Sequence, residues 1–291
     1  MAVSPPRPQV EGFYDRDTGT VTYLVTDPAT QRAAVIDPVL DYDPKAGRTA
    51  TRSADAVIAR VREREVTVEW VLETHVHADH LSGIAYVKRA VGGRSGIGSC
   101  LPLVQKAFKD VFAFERDFHA DGSQFDHLFA DDETFMLGSI AARVMHTPGH
   151  TPACASYLIG DAVFIGDTLF MPDSGTARCD FPGGDAVTLY RSLRRILALP
   201  PETRMFICHD YCPGGRQPAW ETTVAEQRAH NIHVHDGVTE AEFVALRTSR
   251  DKTLSMPVLI IPSVQVNIRA GELPPAAENG VRYLQVPVNV L

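Results

Sequence analysis

The stretch Thr74-His75-Val76-His77-Ala78-Asp79-His80 places three imidazoles and a carboxylate within six residues, directly behind the apolar run 66–74. A hydrophobic core has no use for that much polarity at one point. Imidazole and carboxylate side chains that converge form a site for a first-row transition metal. A lone histidine is commonly a hydrogen-bonded core residue or a solvated loop residue, but three at one strand end read as ligands. Residues 66–74, with Trp70, Val71 and Leu72, predict the buried strand that delivers the cluster. Leu81, Ile84, Ala85 and Val91 recur at helical spacing, so a helix follows at once.

The flanks repeat this strand–loop–helix logic. Residues 21–26 and 33–37 read as neighbouring strands around the turn signal Asp27-Pro28. Residues 41–53 are polar and contain Pro44 and Gly47, which predicts an exposed loop, after which Ser53 caps a helix carrying Val57, Ile58 and Val61. Residues 135–146 predict two strands broken near Gly138 and ending at Thr147-Pro148-Gly149-His150. Residues 155–159 and 162–166 predict a hairpin around Gly160-Asp161 that leaves Asp167 at a strand end. Ala186, Leu189, Leu193, Ile196 and Leu197 mark an amphipathic helix, which leads to a strand over 204–208 and then to His209. Thr239-Glu240-Ala241-Glu242 matches a capping box, and the tail after Met256 reads as an ordered strap.

With 291 residues, 44% of them hydrophobic and 22% charged, the chain has the material for one large α/β domain. We divide it into a flexible arm over 1–11, a main domain over 12–235 and an extension over 236–291 packed on that domain. The net charge of -8 offers no basic footprint for nucleic acid or anionic lipid. No apolar stretch approaches a membrane span, and the start lacks the apolar core of a signal peptide. Five scattered cysteines, an odd number, suit a reducing cytoplasm better than a disulfide framework. Cys208 and Cys212 flank His209, but no second cysteine pair completes a thiolate site.

Metal-ligand residue types thus recur at successive strand ends: His75, His77, Asp79 and His80, then His150, Asp167 and His209. In this order they resemble the metal motif of the metallo-β-lactamase superfamily. That resemblance implies a four-layer αββα sandwich with the metal at one edge of its two sheets. Three further features are Gly166-Asp167-Thr168-Leu169-Phe170 with Ser174-Gly175-Thr176-Ala177-Arg178-Cys179-Asp180-Phe181, then His209-Asp210-Tyr211, then 257–262 with Asn267 and Gly271. Together they resemble the persulfide (sulfur) dioxygenase family, which often has Thr and Gln where this chain has Cys179 and Pro182.

The resemblance implies His75, His150 and Asp167 as ligands of one Fe(II), with glutathione persulfide and O₂ as substrates and sulfite and glutathione as products. His77, Asp79, His80 and His209 then orient ligands and water, or hold a second metal (zinc or another) as in dinuclear hydrolases. The residues alone permit both arrangements. Arg178 and Asp180 offer opposite charges for clamping glutathione, or pair with each other to stiffen their loop. Tyr211 offers a hydroxyl to the substrate. A homodimer is the expected assembly, with no nucleic-acid or membrane partner. The alternative reaction is thioester hydrolysis resembling that of hydroxyacylglutathione hydrolase. His230, His233 and His235 read as a solvated helix terminus, His119 and His127 as polar-loop residues, and His146 as a support of the His150 loop.

Overall fold

The computed structural model describes residues 7–290. Strands β1 (Gln9–Tyr14), β2 (Val21–Asp27) and β3 (Arg32–Ile36) form an antiparallel meander. A hairpin of β4 (Val39–Asp43) and β5 (Arg48–Ala50) precedes α1 (Arg52–Glu63). Then follow β6 (Thr67–Leu72), β7 (Leu81–Ser82), α2 (Ile84–Val91), β8 (Arg94–Gly98), α3 (Leu101–Val111) and β9 (His127–Phe129). The second half runs β10 (Thr134–Leu137), β11 (Ile140–His146), β12 (Ala155–Ile159), β13 (Ala162–Phe164), α4 (Ala186–Leu197), β14 (Arg204–Phe206) and β15 (Glu221–Thr223). Helices α5 (Val224–His230), α6 (Glu240–Asp251) and α7 (Ile260–Asn267) close the chain.

Two six-stranded sheets result, one ordered β1-β2-β3-β6-β8-β9 and the other β10 through β15 in sequence. Both faces of the central strands are buried, which is why these strands read as nearly continuous apolar runs. The period-two alternation sorts their side chains between layers. Leu24, Ala33, Val35 and Val71 pack with Val57 and Ile58 of α1, Ile84 of α2, Val104 of α3 and Val264 of α7. Tyr23, Val25, Ala34, Ile36 and Leu72 instead meet Val144, Tyr157 and Phe164 of the second sheet. On the far side Val163 and Met205 pack with Leu189 and Leu193 of α4 and Phe243 of α6. This is the expected four-layer αββα sandwich.

Strands β3, β6 and β8 run parallel, as do β13 and β14, so several strand C-termini reach the same edge of the sandwich. That edge is where an open α/β sheet binds ligands. Two tyrosines lock the sheets together near it. Tyr157 donates to the Glu73 carbonyl at 2.8 Å, and Tyr23 donates to the Ile207 carbonyl.

Four local expectations need correction. Residues 41–53 are a strand hairpin rather than a loop, with Asp43 opposite Arg48 across the turn, because exposed strands carry no apolar alternation to betray them. Ser53 lies inside α1 and caps nothing. Its N–H and Oγ donate to the carboxylate of Asp41, which satisfies the helix start from outside. The strap after Met256 contains α7, whose apolar residues pack against the first helical layer. The arm is shorter than residues 1–11, since β1 begins at Gln9 and Glu11 pairs with Arg60 of α1 at 2.7 Å; residues 1–6 of that arm lie outside the described residues.

Asp27 ties the sheets together at the opposite end. Its buried carboxylate accepts from Ala29 N–H and Thr30 Oγ1 in its own turn and from Ser139 N–H and Oγ in the turn between β10 and β11. Burial alone would raise its pKa, but those donors outweigh it and hold the carboxyl at about 2. A Cβ on Gly138, at φ +58°, would run into Thr30 Oγ1 and Asp27 Oδ2. Asp27→Ala should cost about 1–3 kcal/mol by stranding these donors, read as a lower denaturant midpoint. Because the folded pKa is depressed, the wild-type advantage should hold above pH 4 and vanish as pH falls towards 2.

Candidate metal centre

The ligand loop leaves β6 and turns back immediately, so His75, His77 and His80 all point into the sheet seam, and each is at most 1% exposed. Ring centroids of His75 and His77 are 4.0 Å apart, and those of His77 and His80 are 4.1 Å apart. His150 arrives from the loop behind β11, Asp167 from a short 3-10 turn behind β13, and His209 from behind β14. All seven expected ligand residues therefore converge.

They form two adjoining sets. His75, His150 and Asp167 bring potential ligand atoms within 4.8 Å of one another, as do His77, Asp79, His80 and His209. Asp167 Oδ2 lies 3.7 Å from the Nε2 atoms of both His75 and His150, while its Oδ1 lies 3.3 Å from His209 Nε2. Asp167 thus sits between the sets. Asp79 Oδ2 is 3.1 Å from His209 Nε2.

Six buried atoms of the seven candidate ligand residues have no hydrogen-bond partner among the described residues: Nε2 of His75, His80 and His209, Nδ1 of His77, Oδ2 of Asp79 and Oδ1 of Asp167. Native proteins rarely leave such groups unmet, and a cation is the natural common partner for lone pairs that face one another. The residues present fit a bound metal. Burial holds His75 well below the usual imidazole range and His150 at about 4, so both are neutral donors. Burial also pushes the Asp167 carboxyl up to about 6, a cost that a cation on its oxygens would reverse.

The opposite edge of each ring is pinned. His150 Nδ1–H donates to the Arg178 carbonyl at 2.7 Å, which turns Nε2 to the centre. Thr74 Oγ1 spends its proton on Asp37 Oδ2, so it accepts from His75 Nδ1–H at 3.0 Å. His77 Nε2 lies between two buried carboxylates, 3.1 Å from Asp37 and 3.0 Å from Glu73. Burial opposes a charge on His77, but Asp37 first and then Glu73 outweigh it and raise the pKa, favouring positive charge on that ring whether from a proton or a metal. Asn267 of α7 donates to the His77 and His80 carbonyls, at 2.8 Å each, and accepts from Ser82 N–H.

Asp37, Glu73 and Thr74 escaped the sequence reading, which also gave no role to Asn267. Asp37 before Pro38 at the end of β3 carries no spacing signal toward the loop it serves. The thiol of Cys208 donates to Asp37 Oδ2 at 3.6 Å, and burial pushes its pKa well up, so it stays a thiol here.

A cavity of about 1060 Å³ opens over the centre and is lined by Asp79, His80, His150, Asp167, Arg178 and Tyr211 among others. Arg178 and Asp180 form a bidentate pair at 2.6 and 2.7 Å, and Arg178 also donates to the Ser255 carbonyl. Their loop is anchored from α6. Arg247 donates to the Thr176 carbonyl and pairs with Asp251, whose Oδ2 accepts from both the N–H and the thiol of Cys179. Tyr211 is exposed at the mouth and stacks parallel to His209.

Two histidines expected in solvent are not there. His233 is 6% exposed and accepts from Thr176 N–H at 3.0 Å, with Gly175 close against its ring. His127 is half-buried in β9, paired with Glu133 at 2.6 Å and packed on Phe129. His119, His230 and His235 are exposed as expected, and His146 ties β11 to the Phe129 carbonyl of the other sheet. No helix among the described residues is long and apolar enough to cross a membrane.

A family model described as the metallo-β-lactamase superfamily matches residues 15–209, the span that holds all seven ligand residues. The chain belongs to this superfamily. Among relatives, a probable metallo-hydrolase of Burkholderia pseudomallei is 54% identical over 97% of this chain and 99% of its own length. Glyoxylase B2 of Dictyostelium discoideum is 50% identical over 97% of this chain and 98% of its own. The human mitochondrial persulfide dioxygenase ETHE1 is 29% identical over 89% of this chain and 87% of its own. The crystal structure of ETHE1 from Myxococcus xanthus superposes with a TM-score of 0.72 at 30% identity, covering 91% of this chain and all of that one. This superfamily member is therefore a metal-binding enzyme scaffold that takes small-molecule substrates.

Two substitutions test the centre. His75→Ala should lower metal content per chain while the far-ultraviolet spectrum stays native. Asp37→Ala, outside both sets, should weaken metal affinity about 10–100-fold by releasing His77 and Thr74. Element analysis and competition against a chelator read both.

Proposed function

We propose that this chain is a glutathione-dependent persulfide dioxygenase working at one Fe(II) held by His75, His150 and Asp167. Glutathione persulfide, O₂ and water would give glutathione, sulfite and two protons. The observation that carries this reading is the composition of the first set, two neutral imidazoles and one carboxylate grouped on the wall of a cavity. The likeness to persulfide dioxygenases supports it. Such a set on Fe(II) supplies open positions where dioxygen and a substrate sulfur can be held together.

The protein's own groups do the rest. The cavity has room for a tripeptide thiol. Arg178 would share its guanidinium between Asp180 and a glutathione carboxylate, and Asp180 would face the ammonium. Tyr211 would donate its hydroxyl at the mouth. Phe181, edge-on to His150 at 5.2 Å, helps keep water from the first set. A cytoplasmic homodimer is part of the same proposal.

A second reading, thioester hydrolysis at two metals, draws on the unmet atoms of Asp79, His80 and His209 and on the likeness to Glyoxylase B2 and the metallo-hydrolase. Its chemistry needs an activated water rather than dioxygen.

Protein loaded anaerobically with Fe(II) should consume O₂ on addition of glutathione persulfide and release sulfite. No uptake by fully iron-loaded protein would refute the proposal, and thioester cleavage without O₂ at two metals per chain would establish the second reading. Arg178→Ala should raise KM for the persulfide several-fold, with kcat changed less, as expected from losing one charge-assisted bond of about 1.5–3 kcal/mol.

A further inference from the structure

Residues 231–233, just behind α5, reverse the usual placing of polar and apolar side chains. Asn231 is fully buried and His233 nearly so, whereas Ile232 between them is 54% exposed and lines the cavity. Buried polar groups are there for the bonds they make. Asn231 Nδ2 donates to the Gly175 carbonyl at 3.1 Å and to Gln227 Oε1 at 2.7 Å, while its Oδ1 accepts from the N–H groups of His233 and Val234. His233 Nδ1 accepts from Thr176 N–H, and Ile232 N–H donates to the Pro172 carbonyl, at 3.0 Å each.

The loop residues bonded in this way belong to one small hairpin. Leu169 and Thr176 form an antiparallel bridge, and Phe170 N–H donates to the Gly175 carbonyl across it. Gln227 Nε2 adds a bond to the Phe170 carbonyl at 2.8 Å. The hairpin begins two residues after Asp167 and ends two residues before Arg178, so it joins the first ligand set to the charged wall of the cavity. Gly175, at φ +84°, has the His233 ring where a Cβ would stand, which seals the contact. The place of Ile232 beside Arg178 is therefore fixed by hydrogen bonds on both flanks. Leu254 and Val258, also exposed, line the same cavity. Apolar side chains exposed together on a cavity wall are a surface for a ligand's hydrocarbon.

We infer that residues 231–233 are the specificity element of this cavity. Asn231 and His233 are positioning residues that set the Arg178 loop, and Ile232 packs on the hydrocarbon part of the carrier thiol whose carboxylate Arg178 holds. The inference rests on glutathione being that carrier, which both reactions considered above share. Cysteine alone lacks the flanking residues that would cover Ile232.

Calorimetric titration of metal-loaded protein reads carrier binding without turnover, and amide exchange across 170–178 reads the loop. Wild type should bind glutathione more than about tenfold more tightly than cysteine, since only glutathione gains both the charge and the apolar contact. Ile232→Ala should weaken glutathione about three- to tenfold with the loop exchanging as in wild type. His233→Leu removes the acceptor for Thr176 N–H; it should speed exchange in the loop and weaken glutathione by a similar factor. His233→Asn, which carries an oxygen near the place of Nδ1, should restore both. Ile232→Ala, a change at the surface, decides the matter should His233→Leu fail to fold. A wild-type chain that binds no glutathione would overturn this inference and the proposed function together. Glutathione bound by the wild type and held as tightly by Ile232→Ala, or by His233→Leu with its loop loosened, would overturn the inference alone.

Discussion

Six buried polar atoms face one another across the seam between the two sheets with no hydrogen-bond partner among the described residues. Each such group costs on the order of 1–3 kcal/mol when unmet, so the seam carries a standing penalty that a bound cation removes. A metal bound here would therefore contribute to folding as well. Between the sheets, Tyr23, Phe164 and Phe206 pack with ring centroids 5.0–5.5 Å apart.

What keeps those six atoms aimed inward is a ring of hydrogen bonds behind them, and its members come from across the chain. His75 and His77 are held through Asp37 at the end of β3, His150 through a carbonyl in the Arg178 loop, and His80 and His209 through Thr20 at the start of β2. Asn267 clamps the ligand loop from α7. The C-terminal extension is thus part of the centre and not an appendage, although it lies beyond the family match. Gly271, at φ +77° and tight against the Ser82 carbonyl, lets the chain leave α7 this close to the loop.

The cavity side is organised differently. The loop that carries Arg178 and Asp180 is held from α6 by the buried Arg247–Asp251 pair, both members of which reach into it. Cys179 belongs to this anchor through its bond to Asp251, and burial together with that carboxylate pushes its thiol up to about 12, so it acts as a donor and not as a nucleophile. Arg178 and Asp180 are paired with each other, which is the geometry of the loop-stiffening reading.

The seven candidate ligand residues were legible in the sequence because their signal is local, and the layered fold was legible through the family resemblance that those residues carry. Ligand types at strand ends stand out against apolar runs, and period-two and helical spacings sort residues into sheets and helices. The hairpin of β4 and β5 was not, because its exposed strands carry no apolar alternation, and neither were the capping of α1 by Asp41 nor the burial of His233, which depend on partners outside their own elements. Asp37, Thr20 and Asn267 are ordinary residues in ordinary local contexts, and only folding brings them behind the histidines. The sequence by itself determined which side chains could bind a metal. The tertiary structure alone decided which nitrogen of each ring faces the centre, because a tautomer is set by the hydrogen bond on the far side of the ring and that partner is a matter of three-dimensional proximity.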